Sequence, residues 1–283
     1  MKTAGWKKSL IQWEAGKSLY MSIPFTWQMR EAEKLAKCHN GPVVIGGPAA
    51  ILNPPEWART EASTPYDVLS MHNPMATFTT RGCPNKCKFC AVPKIEGDFI
   101  ELESWKAAPI ICDNNLLACS VKHFEKVIKS LKPFPEPDFN QGLDARLFTK
   151  FHAQKIATLK DPMLRFAVDR TDQLPGTKKA IETARESGLR RFYVYVLVGY
   201  NDTPEDAISR LETIRGWGIR PNPMRYQPLD AKRKNEYLAP TWTNQQMIRT
   251  TKYYSRLRYF EHIPFENFRW AENNDLFSRE ART

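Results

Sequence analysis

The sequence contains no run of about 18 consecutive apolar residues, the length a membrane-crossing helix needs, and 26% of its 283 residues are charged. Its opening, Met1-Lys2-Thr3-Ala4-Gly5-Trp6-Lys7-Lys8, leads into no long apolar stretch of the kind found in a secretory leader. Cysteine is scarce as well. Six cysteines in a chain long enough to bury a core argue against a disulfide scaffold and for thiols kept reduced in a cytoplasm. Histidine is rarer still: His39, His72, His123, His152 and His262 form no recognisable constellation, nor do Trp6, Trp13 and Trp27, and these are read as packing or surface residues.

Against that background one loop stands out. Thr79-Thr80-Arg81-Gly82-Cys83-Pro84-Asn85-Lys86-Cys87-Lys88-Phe89-Cys90 holds three cysteines as C-x3-C-x2-C. Three thiolates on one short loop can each hold one iron of a cubane cluster, leaving the fourth iron without a protein ligand and open to chemistry. A structural zinc site is the competing reading. It needs a fourth ligand and favours paired hooks, and Cys38, Cys112 and Cys119 supply no second hook.

The spacing, with Phe89 just before the third cysteine, resembles the cluster loop of the radical S-adenosylmethionine (SAM) superfamily. The resemblance implies a [4Fe-4S] cluster on Cys83, Cys87 and Cys90, SAM chelated by the open iron, and a reductant such as a flavodoxin or ferredoxin. Phe89 then either shields the cluster from water or belongs to the core, or does both.

From the loop onward the chain reads as strand then helix at a period of roughly 30 residues, with strands expected at 75–80, 109–112, 138–141, 164–168, 192–198 and 222–227. The expected fold class is α/β: a partial (β/α)6 TIM-like barrel over 75–230, a short N-terminal α/β extension over 1–74 and a C-terminal helical extension over 231–283. Helix ends are legible. Thr203-Pro204-Glu205-Asp206 is an N-terminal signature before the Ile208, Leu211, Ile214 and Trp217 stripe, which stops at Gly218. Ser120 and Thr177 are read as caps of two further helices, the second stopping at Gly188.

In parallel βα barrels the carboxyl ends of the strands build the site, so polar residues after each strand become candidates. Asp113-Asn114-Asn115 resembles the Asp-Asp-Asn of the superfamily branch holding the cobalamin-binding and methylthiotransferase groups, where it contacts the SAM amino group. By their place at strand ends Asp169-Arg170 and Gly199-Tyr200-Asn201-Asp202 are expected walls of the site, and by the same resemblance Gln141, Asp144 and Arg146 handle the ribose hydroxyls and the methionyl carboxylate while Val198 and Gly199 pack against adenine. The residues also admit local roles: Asp144 paired with Arg146, Asp169 with Arg170, and Asp113 or Asn115 as a helix cap.

The flanks bear on the substrate. Strands are expected at 19–23 and 43–45 around a helix at 29–37, with a tight turn at Gly46-Gly47-Pro48. That stretch is similar to the end of a cobalamin-binding domain, yet the Asp-x-His-x-x-Gly motif is missing and about 75 residues are too few, so a remnant packed on the barrel is expected. Pro54, Pro55 and Pro65 mark a linker. A helix is expected at 245–259, where Lys252, Tyr253, Tyr254, Arg256, Arg258 and Tyr259 either grip nucleic acid or leave Met247, Thr251, Tyr254 and Leu257 as a buried stripe. Phe265, Phe268 and Trp270 are expected to seal the open side of the barrel.

The net charge of +11 raises the prior for a polyanionic partner, DNA or RNA. The excess is spread along the chain, with no dense basic tail. Three functions remain: radical SAM modification or rearrangement of a nucleobase or nucleotide, the same chemistry on a small metabolite or peptide, and a non-catalytic nucleic-acid-binding protein with a structural metal.

Overall fold

Residues 5–62, 65–256 and 261–270 are described by the computed structural model. The first sheet grows from a hairpin in which β1 (Ile11–Ala15) pairs antiparallel with β2 (Ser18–Ser22). The amphipathic α1 (Met29–Lys37) follows, and β3 (Val43–Gly46) returns parallel to β2. After α2 (Pro48–Leu52), β4 (Arg59–Thr60) completes the order β1-β2-β3-β4. Leu19, Met21, Ile23, Ala32 and Ile45 bury a separate small core here, and Trp57 of the proline-marked segment packs on it. Part of that expected linker is therefore structured. The hairpin strand β1 carries no strong pattern of its own and was not expected. α3 (Val68–His72), capped by the Asp67 side chain on Ser70 N, leads to the second sheet.

β5 (Ala76–Thr77) opens the larger sheet, and β6 (Thr80–Arg81), α4 (Val92–Ile95) and β7 (Ile100–Glu101) form an excursion from it. Then come β8 (Ile110–Ile111), α5 (Val121–Leu131), β9 (Asp138–Phe139), α6 (Lys150–Ile156), β10 (Met163–Val168), α7 (Leu174–Glu186), β11 (Arg191–Val198), α8 (Pro204–Gly216), β12 (Pro221–Arg225) and α9 (Asn244–Tyr254). Six strands pair in the order β12-β11-β10-β9-β8-β5, every neighbour parallel. All six expected strands are present, the first three trimmed to two residues each. The chain is mixed α/β, and the parallel pairing places all six carboxyl ends along one edge.

Burial explains the sheet. Leu164, Phe166 and Val168 alternate with Met163, Arg165 and Ala167, and Val194, Val196 and Val198 alternate with Tyr193, Tyr195 and Leu197. The first sets join Phe124, Val127, Ile156, Ile181, Ala184, Leu211 and Ile214 in one core, so α5 to α8 cover that face. The opposite face is polar: Arg165 donates from Nε (2.6 Å) and Nη2 (2.5 Å) to the Asp138 carboxylate and from Nη1 to Tyr195 Oη (2.9 Å).

The caps divide. Ser120 accepts from His123 N (3.2 Å) and Thr203 from Asp206 N (3.2 Å), as expected. Thr177 does not cap: α7 starts earlier, at Leu174 with Pro175 in its first turn, and Thr177 is buried inside it. α9 begins near its expected position and ends at Tyr254. Tyr253 and Tyr254 are fully buried, so this helix is a core element, while Leu257, Arg258 and Tyr259 lie outside the described residues. Phe265 and Phe268 close over α9 by ring contacts to Tyr253 and Tyr254, on the side of α8 and not over the polar face of the sheet. Among the described residues no helix is long and apolar enough to cross a membrane.

Candidate functional site

The cysteine loop leaves the sheet at the carboxyl end of β5 and is held at its neck. β6 and β7 pair antiparallel, Thr80 opposite Glu101 and Arg81 opposite Ile100, and Leu102 N donates to Thr79 O (2.9 Å). Gly82 sits between ribbon and cysteines at φ +71, and a Cβ there would stand 2.2 Å from Asp98 O. Only glycine satisfies both the dihedral and the close approach.

A residue not singled out in the sequence fixes this neck. Glu96, in the turn after α4, accepts from Gly82 N (2.7 Å) and Asn114 Nδ2 (2.9 Å), and its other oxygen pairs with Arg81 Nη2 (3.0 Å). The loop is thereby tied to the Asp113-Asn114-Asn115 segment that follows β8. No periodicity or motif marks Glu96; its role exists only in the folded chain.

The triplet divides three ways. Asn114 faces Glu96. Asp113 turns back into the fold, accepting from Thr79 N (2.6 Å) and from the Thr79 hydroxyl. Burial pushes its carboxyl above the ordinary range, against the Thr79 and Thr80 hydrogen bonds. Asn115 alone reaches the cysteines: its Nδ2 donates to Cys83 Sγ (3.7 Å) and Asp144 Oδ2 (3.2 Å). Its Oδ1 is buried with no hydrogen-bond partner. A buried acceptor left unpaired costs about 1–3 kcal/mol.

Asp144 and Arg146 pair with each other, Nε to Oδ1 at 2.8 Å and Nη2 to Oδ2 at 2.7 Å. Asn85 Nδ2, from within the cysteine loop, adds a third donor to Asp144 (3.0 Å). Burial pushes the Asp144 carboxyl up, but the Arg146 and Asn85 hydrogen bonds outweigh it and hold the group below its usual value. Arg146 remains mostly exposed, its guanidinium free on one side to take an anionic group. Arg170 pairs with Asp172 (2.7 Å) and not with Asp169, though it stays within electrostatic range of Asp169 and Cys87, and Gln141 is exposed. Val198 is buried on the helix-covered face, so only its backbone and Gly199 border the site. Gly199, at φ +81, donates to Asp202 Oδ1 (3.0 Å).

The three thiols share this environment. Burial raises the Cys87 and Cys90 thiols, and the carboxylate of Asp169 and the neighbouring cysteines raise both further. Cys87 is exposed, Cys83 and Cys90 half-buried. Among the described residues no three His, Cys, Asp or Glu side chains converge as a preformed metal centre. In composition, a soft three-thiolate set with no fourth thiolate or imidazole suits an iron–sulfur cluster better than closed tetrahedral zinc. Burial pushes the Cys112 and Cys119 thiols up to about 12, which keeps them protonated and unreactive at neutral pH.

Phe89 is not simply core. Its ring meets Tyr200 edge-on (centroids 5.3 Å apart), and Tyr200 leads on to Tyr226 (4.8 Å) and Tyr237 (5.3 Å). Tyr200 belongs to the Gly199-Tyr200-Asn201-Asp202 segment that the sequence offers as a wall of the site, whereas no motif or periodicity marks Tyr226 and Tyr237. A cavity of about 560 Å³ between α8 and residues 261–266 shares no residue with the cysteine loop.

Fold and site define an α/β protein with a thiol-bearing loop at the carboxyl edge of a sequentially ordered parallel sheet. No protein-family model matches the chain, and no curated protein matches it.

Proposed function

We propose that the chain is a radical SAM enzyme acting on a nucleobase or nucleotide. The observation that carries the reading is the meeting of the Cys83/Cys87/Cys90 loop with the orphaned acceptor of Asn115 at the carboxyl edge of the sheet. Sequential strand order supports the barrel reading: with the right-handed crossovers usual for parallel strands, the helices would lie on one face and the face bearing Arg165 and Tyr195 would line the inside of a partial barrel. Such a sheet offers its mouth where the cysteine loop stands.

Cys83, Cys87 and Cys90 would hold a [4Fe-4S] cluster, which with SAM bound would supply one-electron reductive cleavage of the sulfonium and so radical chemistry at the substrate. The chain's own residues bind and orient. Asn115 Oδ1 would accept from the SAM ammonium, the exposed edge of Arg146 would take its carboxylate, and Asp144 holds both Asn115 and Arg146 in place. The Gly199 backbone would border adenine. Phe89, held edge-on by Tyr200, would shield part of a bound cluster, and Glu96 keeps the loop against the Asp113-Asn114-Asn115 segment.

The test is anaerobic reconstitution with iron and sulfide, followed by SAM and dithionite. Wild type yields 5'-deoxyadenosine, Cys87→Ala yields none, and Asn115→Leu binds SAM at least about tenfold more weakly, the loss expected for about 1.4 kcal/mol. Zinc uptake with intact SAM would reject the reading and make the loop a structural staple.

A further inference from the structure

The aromatic ladder leaving the cysteine loop is not needed to hold a cluster or SAM, and it ends beside charge. Phe89, Tyr200, Tyr226 and Tyr237 are each partly exposed and touch in sequence, their rings at 66°, 56° and 87° to one another. Next to Tyr226 and Tyr237 in the chain runs Lys232-Arg233-Lys234, all exposed. Arg233 has one weak contact to Glu236 (3.4 Å), and Lys232 and Lys234 form no ion pair with a described residue. At the other end, Lys86 and Lys88 flank exposed Cys87 and are equally unpaired. The basic run is anchored: Thr26 Oγ1 donates to Ala231 O (2.5 Å), which sets the stacked pair Phe25 and Trp27 (4.6 Å, 7°) beside it.

We propose that this strip is a binding platform for single-stranded nucleic acid, with bases stacked on the tyrosine ladder and phosphates on the lysines at its two ends. The chemistry selects the partner. Exposed lysine ammonium groups on either side of a row of partly exposed rings match a chain that alternates phosphates with flat π-faces. A duplex keeps its faces stacked inside and presents only phosphates. An acidic protein surface offers charge without rings. The proposal rests on the enzyme reading for one point, that the strand is delivered to the cysteine loop, and it moves nucleic-acid binding from α9, whose tyrosines are buried, to the 226–237 segment.

The experiment is fluorescence anisotropy on the full chain with labelled oligouridylate, oligothymidylate, a mixed-sequence duplex and polyglutamate, using strands of about 15 nucleotides, within the range single-strand-binding folds cover. Single strands are expected to bind more tightly than the duplex, with polyglutamate weakest. Tyr226→Ala weakens binding about tenfold and Tyr226→Phe leaves it unchanged. The exposed pair Lys232→Ala/Lys234→Ala lowers the slope of log affinity against log salt by about 1.4, from two phosphate contacts at about 0.7 each, and leaves SAM cleavage unchanged. Equal binding of duplex and single strands with an inert Tyr226→Ala, or polyglutamate binding as tightly as oligonucleotide, overturns the platform, and an unchanged salt slope in the lysine pair does so even where the tyrosine variant is unstable. Deoxyadenosine formation is assayed in parallel: binding without cleavage removes the enzyme reading and keeps the platform, while cleavage without binding does the reverse.

Discussion

Replacing Arg210 with methionine isolates the interaction on which the Gly199 turn depends. Asp202 and Arg210 are almost fully buried and pair at 2.5 Å. Asp202 also accepts from Gly199 N (3.0 Å) and Trp242 Nε1 (3.1 Å), while Arg210 Nη2 donates to Leu197 O (2.8 Å). One ion pair thus joins the end of β11, α8 and the segment before α9. Methionine keeps much of the stem's volume but leaves Asp202 as a buried charge with two neutral donors. Breaking a buried pair on one side costs about 3–5 kcal/mol, and at about 2–4 °C per kcal/mol for a chain of this order the melting temperature falls by about 10 °C. Asp202→Asn combined with Arg210→Met removes the charge and keeps an acceptor for Gly199 and Trp242, so it recovers most of the loss. Urea and thermal unfolding of the two variants read this directly. A single-variant loss below about 1 kcal/mol, the size of an exposed pair, or a double variant less stable than the single one, would refute the reasoning.

Gly82→Ala places a methyl against Asp98 O in a left-handed backbone. It costs at least about 1–2 kcal/mol from the dihedral alone, and loosening of the neck shows as faster labelling of Cys83, Cys87 and Cys90 by a thiol reagent; unchanged labelling would separate the glycine from the loop. Asp113→Asn tests a buried carboxyl raised above 3.8, chiefly by desolvation. A carboxyl whose folded-state value lies above its unfolded one stabilises the fold while protonated and loses that contribution as pH rises through the folded value. The variant should therefore gain on the wild type as pH rises from acid towards neutral, measured by urea midpoints; a gap that widens towards acid would show that the Thr79 hydrogen bonds dominate instead.

The sequence by itself determined which segments are strands of the large sheet, the capping by Ser120 and Thr203, and the three cysteines on one loop. Each depends on residues within a few positions of one another, through side-chain alternation, a hydroxyl at a helix start or a fixed ligand spacing. Only the tertiary structure decided the rest. Asp113, Asn114 and Asn115 are consecutive in the chain, yet one caps the strand behind it, one binds Glu96 and one faces Cys83 with a bare acceptor. Tyr254 reads from the sequence either as a nucleic-acid contact or as part of a buried stripe, and only packing shows it and Tyr253 fully buried, whereas Tyr226 and Tyr237 carry no sequence signal and line up with Tyr200 from the cysteine loop. The reason is physical. Backbone propensity and periodicity act over one turn or one strand, but which face a polar group meets is set by packing between elements far apart in sequence, where burial and an unpaired donor or acceptor decide the energy.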